Sequence, residues 1–145
     1  MTLHKNHIGG EWVAGVTATP NINPSDTTDI VGEYAQADAT QAASAVSAAR
    51  GAFAKWALAT PQQRFDVLDF IGTEILARKA ELGDLLSREE GKTLAEGIGE
   101  AGRAGQIFKF FAGEALRIPG EKLASIRPGL DVEITRELPS PLGRL

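Results

Sequence analysis

Gly97-Ile98-Gly99-Glu100-Ala101-Gly102 spells G-x-G-x-x-G. In a strand-to-helix turn, that spacing brings free backbone amides and a helix N-terminus to the pyrophosphate of a dinucleotide. The chemistry requires a strand before the glycines. Here the preceding run, Leu82 to Glu90, has helical spacing, and Thr93 with Glu96 forms a capping box that places all three glycines inside a helix. The motif therefore reads as a helix-packing surface. Gly91-Lys92-Thr93 resembles the end of a phosphate-binding P-loop, but Leu86 stands where that loop needs its first glycine. A helix-capping Thr93 accounts for the triplet.

Other polar groups form weaker sets. His4 and His7 lie near the terminus with no carboxylate or thiol close in sequence, so they make a poor metal site and read as exposed strand residues. Ser87, Glu89 and Glu90 have no histidine or lysine placed by sequence as a base, and read as a charged helix face. The sequence contains no cysteine. This excludes disulfides, thiolate metal sites and a cysteine nucleophile within these residues.

The elements that would carry these groups follow from periodicity. Leu3 to Ile8 and Glu11 to Val13 flank Gly9-Gly10, a pair suited to the positive φ angles of a two-residue hairpin turn. After the turn-like Asn23-Pro24-Ser25-Asp26, the stretch Thr28 to Ala37 alternates as a strand. From Asp38 to about Trp56 the residues Ala42, Val46, Ala49, Phe53 and Trp56 form the expected buried stripe of a helix. Thr60-Pro61-Gln62-Gln63 opens another helix with a capping box, and Phe65, Leu68, Ile71 and Ile75 supply its apolar stripe.

A short helix from Leu82 to Glu90 should stop near Gly91. A long one should run from Thr93 to about Leu116, before Pro119-Gly120. Gly97, Gly99, Gly102, Gly105 and Gly113 each cost this long helix about 1 kcal/mol relative to alanine, which makes sense where another backbone presses close. Asp131 to Glu137 alternates as a strand, and Leu138-Pro139-Ser140-Pro141 cannot extend a regular central strand. The order is hairpin, strand, three or four helices, strand.

The 145 residues are 43% apolar with a formal charge of -4, a balance that fits a soluble globular chain. Basic residues are scattered among acidic ones, which argues against a nucleic-acid partner. No apolar run approaches the roughly 18 residues of a membrane span, and Met1 to Gly10 lacks the order of a signal peptide, so a cytoplasmic location is expected.

Several blocks together resemble the aldehyde dehydrogenase superfamily. They are Ile8-Gly9-Gly10-Glu11-Trp12-Val13, Asn23-Pro24-Ser25-Asp26, Phe53-Ala54-Lys55-Trp56, Glu90-Gly91-Lys92-Thr93, the run Gly105 to Ala115, and Thr135-Arg136-Glu137. Their order and spacing carry the resemblance. Thr60 to Arg64 and Gly105 to Arg117 look most like the branch that oxidises 2-oxoglutarate semialdehyde.

The resemblance implies an α/β family fold, of which this truncated piece would be mainly α-helical. Residues 1–130 would form the helical part of the cofactor-binding domain, and residues 131–145 would begin the oligomerisation strand region. It also implies that the oxyanion-holding asparagine, the NAD or NADP site, the general-base glutamate and the nucleophilic cysteine belong to later parts of the family chain. No catalytic or cofactor-binding residue is therefore expected here, and no cofactor is expected for this chain alone.

Where the family pattern runs Glu-Pro-Leu-Gly, this sequence has Glu137-Leu138-Pro139-Ser140-Pro141-Leu142-Gly143, which is read as a sign of a disrupted or truncated gene product. By the same resemblance, the Ile22 carbonyl and the Glu100 carboxylate are the candidate ligands of a structural monovalent cation. Self-association, or docking to a full-length homologue, is the expected partnership.

Overall fold

The computed structural model describes residues 2–137. The expectation for the 138–141 tail lies outside them. The N-terminal strands are β1 (Leu3–His4), β2 (Asn6–Ile8), β3 (Glu11–Val13), β4 (Thr17–Ile22) and β5 (Ile30–Gln36). The expected hairpin is β2 paired with β3, closed by Gly9 and Gly10 at φ 62° and 92°. Leu3 and His4 leave that hairpin and pair in parallel with β5. β4, absent from the sequence reading, pairs antiparallel with β5, so the sheet order is β1-β5-β4. Pro20 hides this strand from a propensity reading. It is tolerated because β4 lies at the sheet edge.

Four helices follow: α1 (Ala39–Ala57), α2 (Pro61–Ala77), α3 (Lys79–Glu90) and α4 (Leu94–Ala115). The helix starts agree with the capping chemistry. Asp38 accepts from the Gln41 amide, and both threonine capping boxes, Thr60 with Gln63 and Thr93 with Glu96, are closed in both directions. α3 begins at Lys79, three residues before the expected Leu82, because Arg78 alone separates it from α2 and no glycine or proline marks the joint. Gly91, at φ 72°, ends it.

α4 packs between α2 and α3, and glycines set the distances. A Cβ on Gly83 of α3 would lie 2.5 Å from the Ile98 backbone, and one on Gly72 of α2 would lie 3.0 Å from the Gly105 carbonyl. Gly97 and Gly105 thus serve the close approach expected of them. Gly99 and Gly102 do not, since nothing lies within 4 Å of their Cβ positions. The α2 stripe Phe65, Leu68, Ile71 and Ile75 is half-buried.

The α1 stripe departs from expectation. No α1 residue is buried, Phe53 is half-buried, and Trp56 is 44% exposed, because the helix packs only lightly on the β2–β3 hairpin and faces an open groove towards α2. Among the described residues the buried apolar side chains are alanines: Ala35, Ala101, Ala112 and Ala115. The last segment is a ribbon of β6 (Glu121–Ala124) and β7 (Asp131–Ile134), with Glu121 opposite Ile134. β6 was not expected, and β7 is shorter than the Asp131–Glu137 stretch.

Candidate functional site

The two nucleotide-like motifs are structural. The G-x-G-x-x-G glycines all lie within α4, and the carbonyl of Gly83 with Ser87 Oγ fills the space a Gly97 side chain would need. No strand leads into that helix, and no row of free amides stands at the glycines. These three glycines therefore do not form a dinucleotide cradle. In Gly91-Lys92-Thr93 the glycine is the left-handed end of α3 and the threonine is the N-cap of α4. Lys92 lies 2.6 Å from Glu90 and 2.7 Å from Glu100, and these carboxylates, Glu100 first, raise its pKa and hold it as a cation.

Glu100, one of the two candidate cation ligands, is thus an exposed α4 residue whose carboxylate accepts from Lys92. Ile22, the other, ends β4 and is 45% exposed. His4 stacks on Tyr34 at 4.7 Å, and His7 rests against Trp12 at 4.9 Å. Ser87 Oγ donates to the Gly83 carbonyl at 2.8 Å, which leaves it without a base.

The densest polar constellation joins the sheet to the end of α3, and the sequence reading did not find it. Arg88 donates twice to Asp29, from Nη2 at 2.6 Å and from Nε at 2.8 Å. This guanidinium, helped by the Asn23 amide at 3.1 Å, lowers the Asp29 pKa to about 2. The neighbouring Glu89 Oε1 accepts from Asn21 Nδ2 at 2.9 Å and from Tyr34 Oη at 3.0 Å. Desolvation, then the Glu89 carboxylate, pushes the phenol upward. Ser25 Oγ donates to the Gly91 carbonyl at 3.0 Å. The only sequence signal for this junction is the Asn23-Pro24-Ser25-Asp26 turn, which says nothing of partners some 60 residues away.

A second fastening lies between α1 and α2. Arg64 donates to the carbonyls of Trp56, Ala57 and Ala59, and its guanidinium lies 5.2 Å from the Trp56 ring centre. Beside it runs an open groove of about 860 Å³ lined by Trp56, Leu58 and Val67 among others. Such a set of groups can orient and pack. Among the described residues it offers no nucleophile with a base.

Large apolar side chains remain uncovered: Phe70 is 65% exposed, Phe110 62% and Phe111 55%. On α2 the exposed apolar residues are Val67 and Phe70, whereas Phe65, Leu68, Ile71 and Ile75 are half-buried.

Comparison with known proteins accounts for the fold. The chain is 35% identical over 135 residues to the alpha-ketoglutarate semialdehyde dehydrogenase of Haloferax volcanii, a match covering 92% of this chain and 28% of that protein. It is 34% identical to the alpha-ketoglutaric semialdehyde dehydrogenase of Bacillus subtilis, covering 86% of this chain and 26% of that one.

Among solved structures, an aldehyde dehydrogenase from Brucella melitensis matches with a TM-score of 0.85 at 25% identity, covering 90% of this chain and 27% of that chain. A betaine aldehyde dehydrogenase from Staphylococcus aureus, in complex with NAD+, matches with a TM-score of 0.86 at 28% identity, covering 92% and 28%. The chain thus spans little more than a quarter of the length of these relatives. The model of the aldehyde dehydrogenase family matches residues 12–144, and the chain belongs to that family.

Proposed function

We propose that these residues are the non-catalytic N-terminal scaffold of an NAD(P)-dependent aldehyde dehydrogenase acting on a semialdehyde, and that alone they oxidise nothing. The observation that carries this reading is the absence of cysteine from the sequence. Oxidation in this family proceeds through a cysteine thiolate that attacks the aldehyde carbon, so the nucleophile must come from outside these 145 residues. The glycine motif that would suit a nucleotide lies inside α4, with Gly97 pressed against α3, which points the NAD or NADP site outside them as well. The semialdehyde is taken from the similarity to the Haloferax and Bacillus proteins. Among the described residues no helix is long and apolar enough to cross a membrane, and a cytoplasmic setting fits the reading.

A chimera tests the proposal. Residues 12–137 replace the matching segment of the Haloferax relative, and NAD(P)H formation from 2-oxoglutarate semialdehyde is followed. The chimera is expected to reduce the cofactor and the isolated chain is not. NAD(P)H produced by the pure 145-residue chain would overturn the reading.

A second reading, docking onto a full-length homologue, is favoured by the uncovered faces of Phe70, Phe110 and Phe111. Co-purification with such a homologue would support it. A chain that migrates alone in the presence of the homologue would sink it.

A further inference from the structure

Two kinds of attachment hold the molecule together, and they differ in strength. α2, α3 and α4 are locked by the reciprocal glycine approaches, where backbones meet at the buried Gly72, Gly83, Gly97 and Gly105. The sheet meets these helices through polar groups: Asp29 with Arg88, Asn21 and Tyr34 with Glu89, and Ser25 with the Gly91 carbonyl. The Arg88 and Asp29 side chains are 36% and 28% exposed, so water and salt reach the pair. Only Ala35 is a buried apolar side chain on the sheet, whereas α4 contributes Ala101, Ala112 and Ala115.

We propose that the β1-β5-β4 sheet is a separate opening unit that detaches from the C-terminal turn of α3 and loses its strand pairing while α2, α3 and α4 stay packed, with the seam at Arg88 and Glu89. Both residues lie in the last helical turn of α3, which ends at Glu90 before the left-handed Gly91. A single displacement there releases both clamps, and the serine contact to Gly91 with them. Opening frees Tyr34 and Asp29 to solvent without breaking a glycine crossing. The unit is defined by this chain's own contacts and does not depend on the proposed scaffold role.

Amide hydrogen exchange on the whole 145-residue chain tests it. The β5 amides of residues 31–35 are expected to exchange faster than the α4 amides of residues 101–112. Arg88→Leu keeps a good helix former and removes the double hydrogen bond to Asp29. It is expected to speed β5 exchange by about ten-fold or more and leave α4 exchange unchanged. Raising the salt from low concentration to about 1 M is expected to act in the same direction on the unaltered chain. Glu89→Gln, which retains an acceptor for Tyr34, is expected to change β5 less than Arg88→Leu does. Equal exchange of β5 and α4 in the unaltered chain overturns the proposal. So does an Arg88→Leu effect that is equal in the two elements or missing from both.

Discussion

Gly97 of α4 lies against Gly83 of α3 so closely that the Gly83 carbonyl occupies the space where a Gly97 side chain would begin. Gly105 repeats the relationship two turns further along α4, where a Cβ would lie 2.7 Å from Leu76 Cγ and 3.2 Å from the Gly72 carbonyl. Two helices therefore approach α4 at glycines two helical turns apart.

Glycines on this helix are expected to respond to alanine with opposite signs. Gly97→Ala and Gly105→Ala should each lose about 1–3 kcal/mol through overpacking. Gly99→Ala, with open space around it, should gain roughly 1 kcal/mol from helix propensity alone. Urea titration followed by circular dichroism compares them. A Gly97→Ala variant as stable as the parent would refute the backbone-contact account.

The capping boxes offer a second check. Thr93→Ala removes the acceptor for the Glu96 amide and the partner of the Glu96 carboxylate, and is expected to cost about 1 kcal/mol. Thr93→Ser should restore most of that loss. Thermal melting of the two variants side by side distinguishes capping from simple loss of side-chain volume.

Acid should weaken the junction between Asp29 and Arg88. The Asp29 pKa is lowered from an ordinary 3.8 to about 2, so folding favours its ionised form. That contribution is complete above about pH 4 and is lost as the pH falls through 2. Asp29→Asn has no such carboxylate and should show a flatter dependence of stability on pH over this window. Parallel slopes for the two proteins between pH 5 and 2 would contradict the assignment.

Uncovered aromatic residues should make the isolated chain associate. Phe110 and Phe111 meet edge to face at 5.3 Å while both remain more than half exposed. Light scattering at tens of micromolar is expected to show species heavier than one chain, and the Phe70→Ser, Phe110→Ser double variant should shift them towards monomer. A parent chain that is monomeric with a sharp two-state melt would argue that these faces are tolerated in water.

Local chemistry made much of this fold legible. The Thr60 and Thr93 boxes, Asp38 and Gly91 mark helix ends through groups a few residues apart, and the Gly9-Gly10 turn does the same for the hairpin. What escaped depends on distant partners. β4 carries Pro20 and is a strand only because β5 lies beside it, and β6 exists through its pairing with β7. The α1 stripe has the right period, yet period reports a face and not what covers it.

The same division applies to the site. The two glycine motifs could be judged by their context, because that context is local. The Asp29–Arg88 and Tyr34–Glu89 contacts span 59 and 55 residues, and no spacing rule reaches so far. The family resemblance came from short blocks in a fixed order. Three of those blocks, Ile8 to Val13, Asn23 to Asp26 and Glu90 to Thr93, are turns or helix ends, where backbone geometry restricts the choice of residue.

The flanks of the three-stranded sheet bear on how such an association would proceed. One flank is β1, only two residues long, and the other is β4, where Pro20 has no amide hydrogen to offer an arriving strand. Neither is a good template for fibril growth. Clustering driven by the bare helix faces is therefore not expected to propagate as added strands along the edges of this sheet.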